Sequence, residues 1–169
     1  PEIYACSWSL GANYPCVEHQ LELLYNNGHP VFFSTGNYGV VEYPAYSKYA
    51  FAVGATDRHD QVPSWSGKGD SLDICAPGKD VWSFDLSGDY GINTSQTQYC
   101  NGDLDYFCYY SGTSVSAPIV AAISTKILAT KPELIPKMSN AEPIYDLLRN
   151  TTNDLYPPGH DNISGYGRL

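Results

Sequence analysis

Short apolar runs flank a longer amphipathic segment at the start of the chain. The run from Ile3 to Trp8 is β-branched and aromatic and stops at Leu10-Gly11, which is typical of a buried strand. Between Val17 and Asn27 apolar residues recur at helical spacing, and Gly28 offers a left-handed stop. Val31 to Ser34 is a second apolar run. Strand, helix and strand in this order predict a βαβ unit with parallel strands.

Two more apolar runs, Ala50 to Val53 and Leu72 to Ala76, are each closed by a glycine and predict further strands. Val81 to Ser83 is expected to continue the same sheet. The pattern predicts an α/β fold, a mostly parallel twisted sheet flanked by helices, and a single domain over residues 1–169.

The pattern fails between Gly88 and Tyr109, where Gly, Asn, Ser, Thr and Gln dominate. We interpret residues 88–109 as a surface loop insertion stapled by a Cys100–Cys108 disulfide. The strongest helix signal follows, from Val115 to Thr130, and its apolar residues cover nearly the whole circumference, which predicts a buried helix. An amphipathic helix from Ala141 to Arg149, with Asn140 as its candidate cap, ends the pattern.

The composition excludes several classes of function. A formal charge of −9 would repel nucleic acid and anionic membranes, and no stretch reaches the roughly 20 apolar residues of a membrane span. Five cysteines without a CxxC pair argue against a zinc ribbon or a thioredoxin-type site. Fifteen tyrosines and three Asn-x-Ser/Thr sequons, at Asn93, Asn150 and Asn162, fit an extracellular, secretory or vacuolar protein.

The candidate chemistry lies at Ser111 to Pro118, where the irregular loop turns into the buried helix. The N–H groups at the start of a helix have no intrahelical acceptor, and the helix dipole places partial positive charge there. An oxyanion forming beside Ser114 would therefore be stabilised. Gly112 would let a substrate backbone come close, and Pro118 is expected in the first helical turn, where a missing N–H costs little.

A second candidate group follows the strand Val31 to Ser34. Ligands bind beyond the carboxyl ends of strands in open α/β sheets, which makes Asn37 a candidate amide donor. Together with Ser111 to Pro118, the segment Ser34 to Gly39 resembles the subtilisin family, the subtilases.

The resemblance extends to most of the chain outside residues 88–109. Ser7 to Gly11 is similar to the family's substrate-pairing strand, and Tyr43-Pro44 with Val53 to Asp57 is similar to its next strand and turn. Leu72 to Gly78 and Gly165 to Leu169 are similar to a later strand and to the closing turn.

Membership would imply a serine endopeptidase with Ser114 as nucleophile and Asn37 as the side-chain half of the oxyanion hole. It would require no organic cofactor. The family's Asp-Thr-Gly and His-Gly-Thr segments lie N-terminal to the part matched, and this sequence contains neither. The chain is therefore expected to be the C-terminal portion of the catalytic domain. Its expected partners are a peptide or protein substrate and the N-terminal part of that domain, which packs against the strand from Ile3 to Ser7.

The resemblance also implies secondary sites. Glu42 aligns with the base of the pocket for the residue before the scissile bond and would favour Arg or Lys. The walls of that pocket would be Ser9, Leu10, Gly11, Ser34, Thr35 and Gly36. Asp73 resembles the carboxylate ligand of a calcium site in proteinase K, with the carbonyls of Lys48 and Ala50 as its other protein ligands.

Two alternatives remain open at this point. The sedolisins, acid-acting serine peptidases on the same fold, also carry a Ser where Ser116 stands, although their oxyanion residue is an Asp. The other is a pseudoprotease, a subtilase-like fragment that keeps the fold and binds peptides without cleaving them.

Overall fold

A parallel sheet of four strands forms the centre of the computed structural model, which describes residues 2–97, 99–137 and 139–169. The strands are β1 Tyr4–Cys6, β2 Val31–Ser34, β3 Phe51–Thr56 and β4 Ile74–Pro77. They lie side by side in sequence order, so β1 is one edge and β4 is the other. Every neighbouring pair is parallel.

Helices cover both faces of this sheet. Alternate residues of each strand point to opposite faces and pack against different helices. On one face Phe33 packs in a cluster with Leu21 of α1, and on the other Phe32 packs in a cluster with Val120 of α2 and Ile144 of α3. The α/β prediction is confirmed. The helices are α1 Pro15–Asn26, α2 Thr113–Thr130 and α3 Glu142–Arg149, with 3-10 turns at Gly88–Tyr90, Cys100–Gly102 and Pro132–Lys137.

The expectation that Val81 to Ser83 continues the central sheet is wrong. The strand β5, Val81–Phe84, pairs antiparallel with β6, Tyr106–Tyr110, in a separate two-stranded sheet. Asp80 has a φ of 54°, a left-handed conformation that turns the chain away from β4. The region predicted as loop insertion at 88–109 therefore contains most of a strand, whose aromatic composition supports it.

The segment between β5 and β6 is held by the Cys100–Cys108 disulfide, as predicted, and by Asn93. The Asn93 side chain is fully buried and donates hydrogen bonds to the carbonyls of Tyr99 (3.0 Å), Asp103 (2.6 Å) and Tyr106 (2.9 Å). This sequon is therefore structural, because its amide is inaccessible to a glycan. Asn150 and Asn162 are exposed.

Helix α2 is buried on one face only, which corrects the prediction of a helix buried all round. Thr113, Ala117 and Val120 are buried against the sheet, whereas Ile119 and Ile123 on another face are only half-buried. By length and a mean hydropathy of 1.3, α2 alone among the described helices could cross a membrane. Its packing on the sheet is that of a core helix.

Pro118 is the sixth residue of α2 and not in its first turn as expected. A proline at this point leaves the carbonyl four residues earlier, that of Ser114, without its helical donor. The Ser7 hydroxyl donates to this carbonyl at 2.8 Å. Ser7, in the segment after β1, thus donates to the Ser114 carbonyl the hydrogen bond that Pro118 cannot donate.

Candidate active site

Ser114 is the second residue of α2 and its side chain is exposed. Its N–H is one of the first in the helix, which have no acceptor within the helix, and the helix dipole makes this end electropositive. Two hydrogen bonds fix the start of α2 to the end of β4. The Gly112 N–H donates to the Gly78 carbonyl at 2.8 Å, and the Ser116 hydroxyl donates to the Ala76 carbonyl at 3.1 Å.

Asn37 is exposed at the end of β2 and faces the first turn of α2. Its Oδ1 accepts hydrogen bonds from the Thr113 N–H at 3.0 Å and from the Thr113 hydroxyl at 3.1 Å. The Thr113 hydroxyl also accepts from the Gly36 N–H at 3.1 Å. The carbonyl end of the Asn37 amide is thereby occupied, which leaves Nδ2 as the end that can donate to a ligand.

Gly112 brings the two candidate catalytic groups to one place. Its φ is 151°, and a Cβ on it would lie 2.9 Å from Ser114 Oγ and 3.3 Å from Asn37 Nδ2. A side chain at this position would fill the space between the nucleophile and the amide donor. The arrangement can place a carbonyl carbon near a hydroxyl and its oxygen near an N–H donor, which is the requirement of acyl transfer.

The predicted walls of the specificity pocket converge beside this site. The Leu10 N–H donates to the Tyr43 carbonyl at 2.7 Å, which brings the segment Ser9 to Gly11 next to Glu42. The Glu42 N–H donates to the Thr35 carbonyl at 2.9 Å. Ser34 and Thr35 are buried, and the Thr35 N–H and carbonyl are already bonded to Val53 and Glu42, so Thr35 presents no free backbone group to a ligand.

Glu42 is half-buried and its carboxylate lies over the Cα of Gly36, where it would overlap any added side chain. Gly36 has a φ of 91°, a left-handed conformation that favours glycine. The carboxylate of Glu42, the residue that the resemblance assigns to the base of the pocket, therefore lies beside the predicted wall residue Gly36.

The four histidines lie elsewhere in the described part of the chain. His19 is near Glu22, His29 accepts from the Glu2 N–H, His59 accepts from Arg58, and His160 contacts the Leu72 carbonyl. No hydrogen bond between a histidine and Ser114 is found among the described residues.

The three free thiols do not compete with Ser114 as nucleophile. Burial raises the pKa of Cys75 to about 12 and raises the pKa of half-buried Cys6, so both stay protonated near neutral pH. Cys16 is exposed on α1, on the α1 face of the sheet rather than at the start of α2.

The structure does not offer Asp73 as a calcium ligand. Arg149 contacts its Oδ1 through Nη2 at 2.7 Å and through Nε at 2.9 Å, and the Ala52 N–H donates to its Oδ2 at 2.7 Å. Calcium takes six to eight oxygen ligands, and no cluster of three acidic, histidine or cysteine side chains is found among the described residues. The residues at Lys48, Ala50 and Asp73 therefore do not fit the ion, because a guanidinium already holds the carboxylate.

Asp73 belongs instead to a charged network on the α3 side. Burial acts to raise the pKa of Asp73, and the Arg149 charge and the Ala52 N–H oppose this. Arg149 also contacts Glu142 at 2.6 Å, and Glu142 accepts a hydrogen bond from Tyr25 at 2.6 Å. The network connects β4, α3 and α1.

Sequence reasoning missed Thr113, Ser7 and Arg149. Thr113 directly precedes Ser114, and a hydroxyl at a helix start is a signal that could have indicated a positioning role. Ser7 and Arg149 gave no local signal, because their partners lie 107 and 76 residues away.

Comparisons with known proteins show the family to which the chain is similar. A family model described as the subtilase family matches residues 2–167. The cell wall-associated protease of Bacillus subtilis (strain 168) is 34% identical over an alignment of 161 residues that covers 80% of this chain and 16% of that protein. Subtilisin BL of Lederbergia lenta is 30% identical over an alignment of 169 residues that covers 98% of this chain and 54% of that protein.

Solved structures show the same fold. The psychrophilic subtilisin-like protease Apa1 from the Antarctic psychrotroph Pseudoalteromonas sp. AS-11 matches with a TM-score of 0.80 at 16% identity, covering 99% of this chain and 68% of that one. A lanthipeptide protease matches with a TM-score of 0.77 at 25% identity, covering 90% and 51%. The chain spans about half the length of a relative such as subtilisin BL. The family model, the sequence identities and the fold together place this chain in the subtilase family of serine proteases.

Proposed function

We propose that this chain is part of a serine endopeptidase that cleaves peptide bonds by acyl transfer through Ser114. The observation behind the proposal is the approach of Ser114 Oγ and Asn37 Nδ2 to the same point beside Gly112, at the N-terminus of α2. The exposed position of Ser114 does not require a serine, and the Asn37 amide, whose oxygen accepts hydrogen bonds from Thr113, leaves Nδ2 to donate to a ligand. Their juxtaposition is explained by a reaction that needs a nucleophile and an oxyanion donor together.

The Asp and His of the reaction come, in this proposal, from the N-terminal part of the same catalytic domain. Two surfaces support this partner. The outer edge of β1 has no strand beside it among the described residues, and the face of α2 with Ile119 and Ile123 is half-buried. An open edge and an apolar face beside Ser114 are surfaces that a missing part of a domain would cover.

The chemistry then proceeds in two steps. The histidine accepts the proton of Ser114 Oγ as Oγ attacks the substrate carbonyl carbon, and the Asn37 side chain and the Ser114 N–H donate to the developing oxyanion. The histidine returns the proton to the leaving amine, and water then releases the acyl group. The reaction needs no organic cofactor.

Glu42 gives the proposed enzyme a preference for Arg or Lys before the scissile bond. Its half-buried carboxylate beside Gly36 would pair with a cation at the base of the pocket. Glu42→Gln keeps the size and removes the charge. The ratio of kcat/KM for Arg over Leu peptides should fall by at least tenfold in this variant, whereas equal cleavage after Leu and Arg by the unmodified enzyme would refute the preference.

We further propose an extracellular or secreted location. One relative is named as an extracellular serine protease of Serratia marcescens, and the sequons at Asn150 and Asn162 are exposed. A net charge of −9 makes nucleic acid an improbable partner.

The test of the proposed function uses the whole protein with its N-terminal part. It should hydrolyse a peptide nitroanilide, and Ser114→Ala should abolish hydrolysis with an unchanged thermal midpoint. Peptide binding without hydrolysis would favour the pseudoprotease. An optimum in acid, rather than near neutral pH, would favour a sedolisin-type peptidase.

A further inference from the structure

The described part of the molecule has a second concave feature beside the candidate site, a cavity of about 830 Å³. The turn Asp57–His59 after β3 and the residues Lys79 and Asp80 after β4 form one side. The β5–β6 hairpin and the segment that joins its strands form the other side. The hairpin side contributes the rings of Trp82, Tyr99 and Tyr109 and the Cys100–Cys108 disulfide.

The position of this cavity relative to Ser114 follows from the order of the strands. The walls of the proposed specificity pocket follow β1 and β2, whereas the cavity follows β3 and β4. The start of α2 lies between them and is bonded to both sides. Asn37 contacts Thr113 on the β2 side, and on the β4 side the Asp80 N–H donates to the Ser111 hydroxyl at 3.0 Å.

A substrate chain that places its residue before the scissile bond between β1 and β2 would continue, after that bond, toward β3 and β4. The cavity therefore lies on the leaving-group side. The proposed N-terminal part would not cover it, because that part adds to the β1 edge and the cavity lies toward the opposite edge of the sheet.

The rings around the cavity are exposed and held in place. Trp82 is 59% exposed, Tyr109 is 55% exposed and Tyr99 is 40% exposed. Tyr99 and Tyr109 pack edge to face at 5.7 Å, the disulfide fixes the base of the loop, and Asn93 binds the Tyr99 carbonyl. Exposed apolar rings that surround one cavity are typical of a binding surface, whereas singly scattered exposed rings are normal.

The charges around the cavity do not favour a ligand of either sign. The cations of Arg58 and Lys79 are balanced by the carboxylates of Asp57 and Asp80 around the same cavity. The rings therefore decide which side chain is accepted. Offset or edge-to-face packing with three rings favours an aromatic group over an aliphatic or charged one.

We propose that this cavity binds an aromatic side chain of the substrate segment that follows the scissile bond. This inference rests on the endopeptidase function proposed above and adds a specificity site to it. The segment between β5 and β6 then recognises the substrate. Tyr99 and Cys100 belong to this segment, and the disulfide joins it to Cys108 in β6.

The experiment uses the whole protein with Ser114→Ala, so that binding is measured without cleavage. Labelled peptides that represent the segment after the scissile bond carry one Phe, moved through the first four positions in an otherwise Ala and Ser background. At one of these positions Phe should strengthen binding by about tenfold over Ala, the effect of burying one large side chain. Trp82→Ala and Tyr109→Ser should each remove most of this gain.

Leu86→Ala is the matched control, because Leu86 is 65% exposed near the end of β5 but does not line the cavity. It should keep the full preference for Phe. The inference is overturned if Phe gives no gain at any position, or if Trp82→Ala and Tyr109→Ser keep the gain. It is also overturned if Trp82→Ala dissociates a dimer instead, because the rings then bind a second copy.

Hydrolysis of a peptide methyl ester, whose leaving group has neither a residue nor a ring after the scissile bond, separates this inference from the proposed function. With Ser114 restored, Trp82→Ala and Tyr109→Ser should hydrolyse it as the unmodified enzyme does. Failure of the unmodified enzyme to hydrolyse it would refute the proposed function, and the peptide titrations would still decide what the cavity binds.

Discussion

The Asn37 Oδ1 atom accepts a hydrogen bond of 3.0 Å from the backbone N–H of Thr113, the residue directly before Ser114. This contact fixes the side-chain amide at the end of β2 to the start of α2. The Nδ2 end is left to face the space beside Gly112 and Ser114 Oγ. The donor is therefore oriented before a substrate arrives, which is the condition under which such a donor stabilises a transition state most.

Asn37→Ala should lower kcat and leave KM nearly unchanged, because the amide would act on the oxyanion and not on the bound peptide. Removal of one such donor in a subtilisin costs on the order of 10² to 10³ in kcat, and we expect the same order for Asn37. Steady-state kinetics on a peptide nitroanilide measure the effect. A rise in KM at constant kcat would contradict the role assigned to Asn37.

Thr113→Val should lower kcat by about tenfold through Asn37, since the variant loses the hydroxyl that bonds to Oδ1 and to Gly36. Thr113→Ser keeps the hydroxyl and should restore most of kcat. Thr113 is a positioning residue, so KM should be the same in both variants. If Thr113→Ser and Thr113→Val were equally slow, the methyl group and not the hydroxyl would matter.

The local pattern of apolar runs was enough to predict the strands of the parallel sheet. The apolar run Val31 to Ser34 forms β2, and the run Ala50 to Val53 forms the first part of β3, which continues past Gly54 to Thr56. The pattern misassigned Val81 to Ser83, because a left-handed Asp80 redirects the chain and the pairing partner Tyr106–Tyr110 is distant in sequence. Nothing in the composition of residues 88–109 showed that Asn93 would be its buried centre.

The candidate site was predictable where its residues have a local motif, as Ser114 and Asn37 do. The structure places them together, and their catalytic roles stay predictions. The calcium expectation at Asp73 stays a prediction, and the contacts of its carboxylate speak against it. A lone carboxylate at the start of a strand does not reveal which cation it meets, and Arg149 reaches it from 76 residues away.

Arg149→Met should destabilise the domain by about 3 to 5 kcal/mol, because it leaves the largely buried Asp73 carboxylate without a counter-charge. The double variant with Asp73→Asn should recover part of this loss. Urea unfolding of the whole protein in the Ser114→Ala background measures both, without autolysis. Additive losses in the double variant would contradict the coupling.

The same preparation tests the calcium expectation. Since Arg149 holds Asp73, EDTA should leave the unfolding midpoint unchanged if no other part of the protein binds calcium. A loss of stability in EDTA that disappears in Asp73→Asn would contradict our assignment of Arg149 as the partner.

Asp161 gives the closing turn a pH-dependent stability. Partial burial acts to raise its pKa, but hydrogen bonds from the backbone of Ser164 and Ile163 outweigh this and hold the pKa below its usual range. A lowered pKa in the folded state stabilises the fold above the unfolded value of about 3.9, and this contribution is lost as the pH falls through the folded value.

Asp161→Asn should therefore be less stable than the unmodified protein at pH 6, and the difference should shrink below about pH 4. Urea midpoints of the two proteins across this range measure it. Asp154, an exposed aspartate in the same C-terminal segment, provides the control variant Asp154→Asn. A difference that grows on acidification would mean that the sign of the Asp161 pKa shift is wrong.

The central claim, that Ser114 is an activated nucleophile, is tested most directly by labelling the whole protein with a fluorophosphonate. Peptide mass spectrometry across Gly112 to Pro118 then locates the adduct. We predict a single adduct on Ser114, formed quickly at neutral pH and slowed strongly in Asn37→Ala. A folded protein that contains its N-terminal part and forms no adduct on Ser114 would contradict the claim.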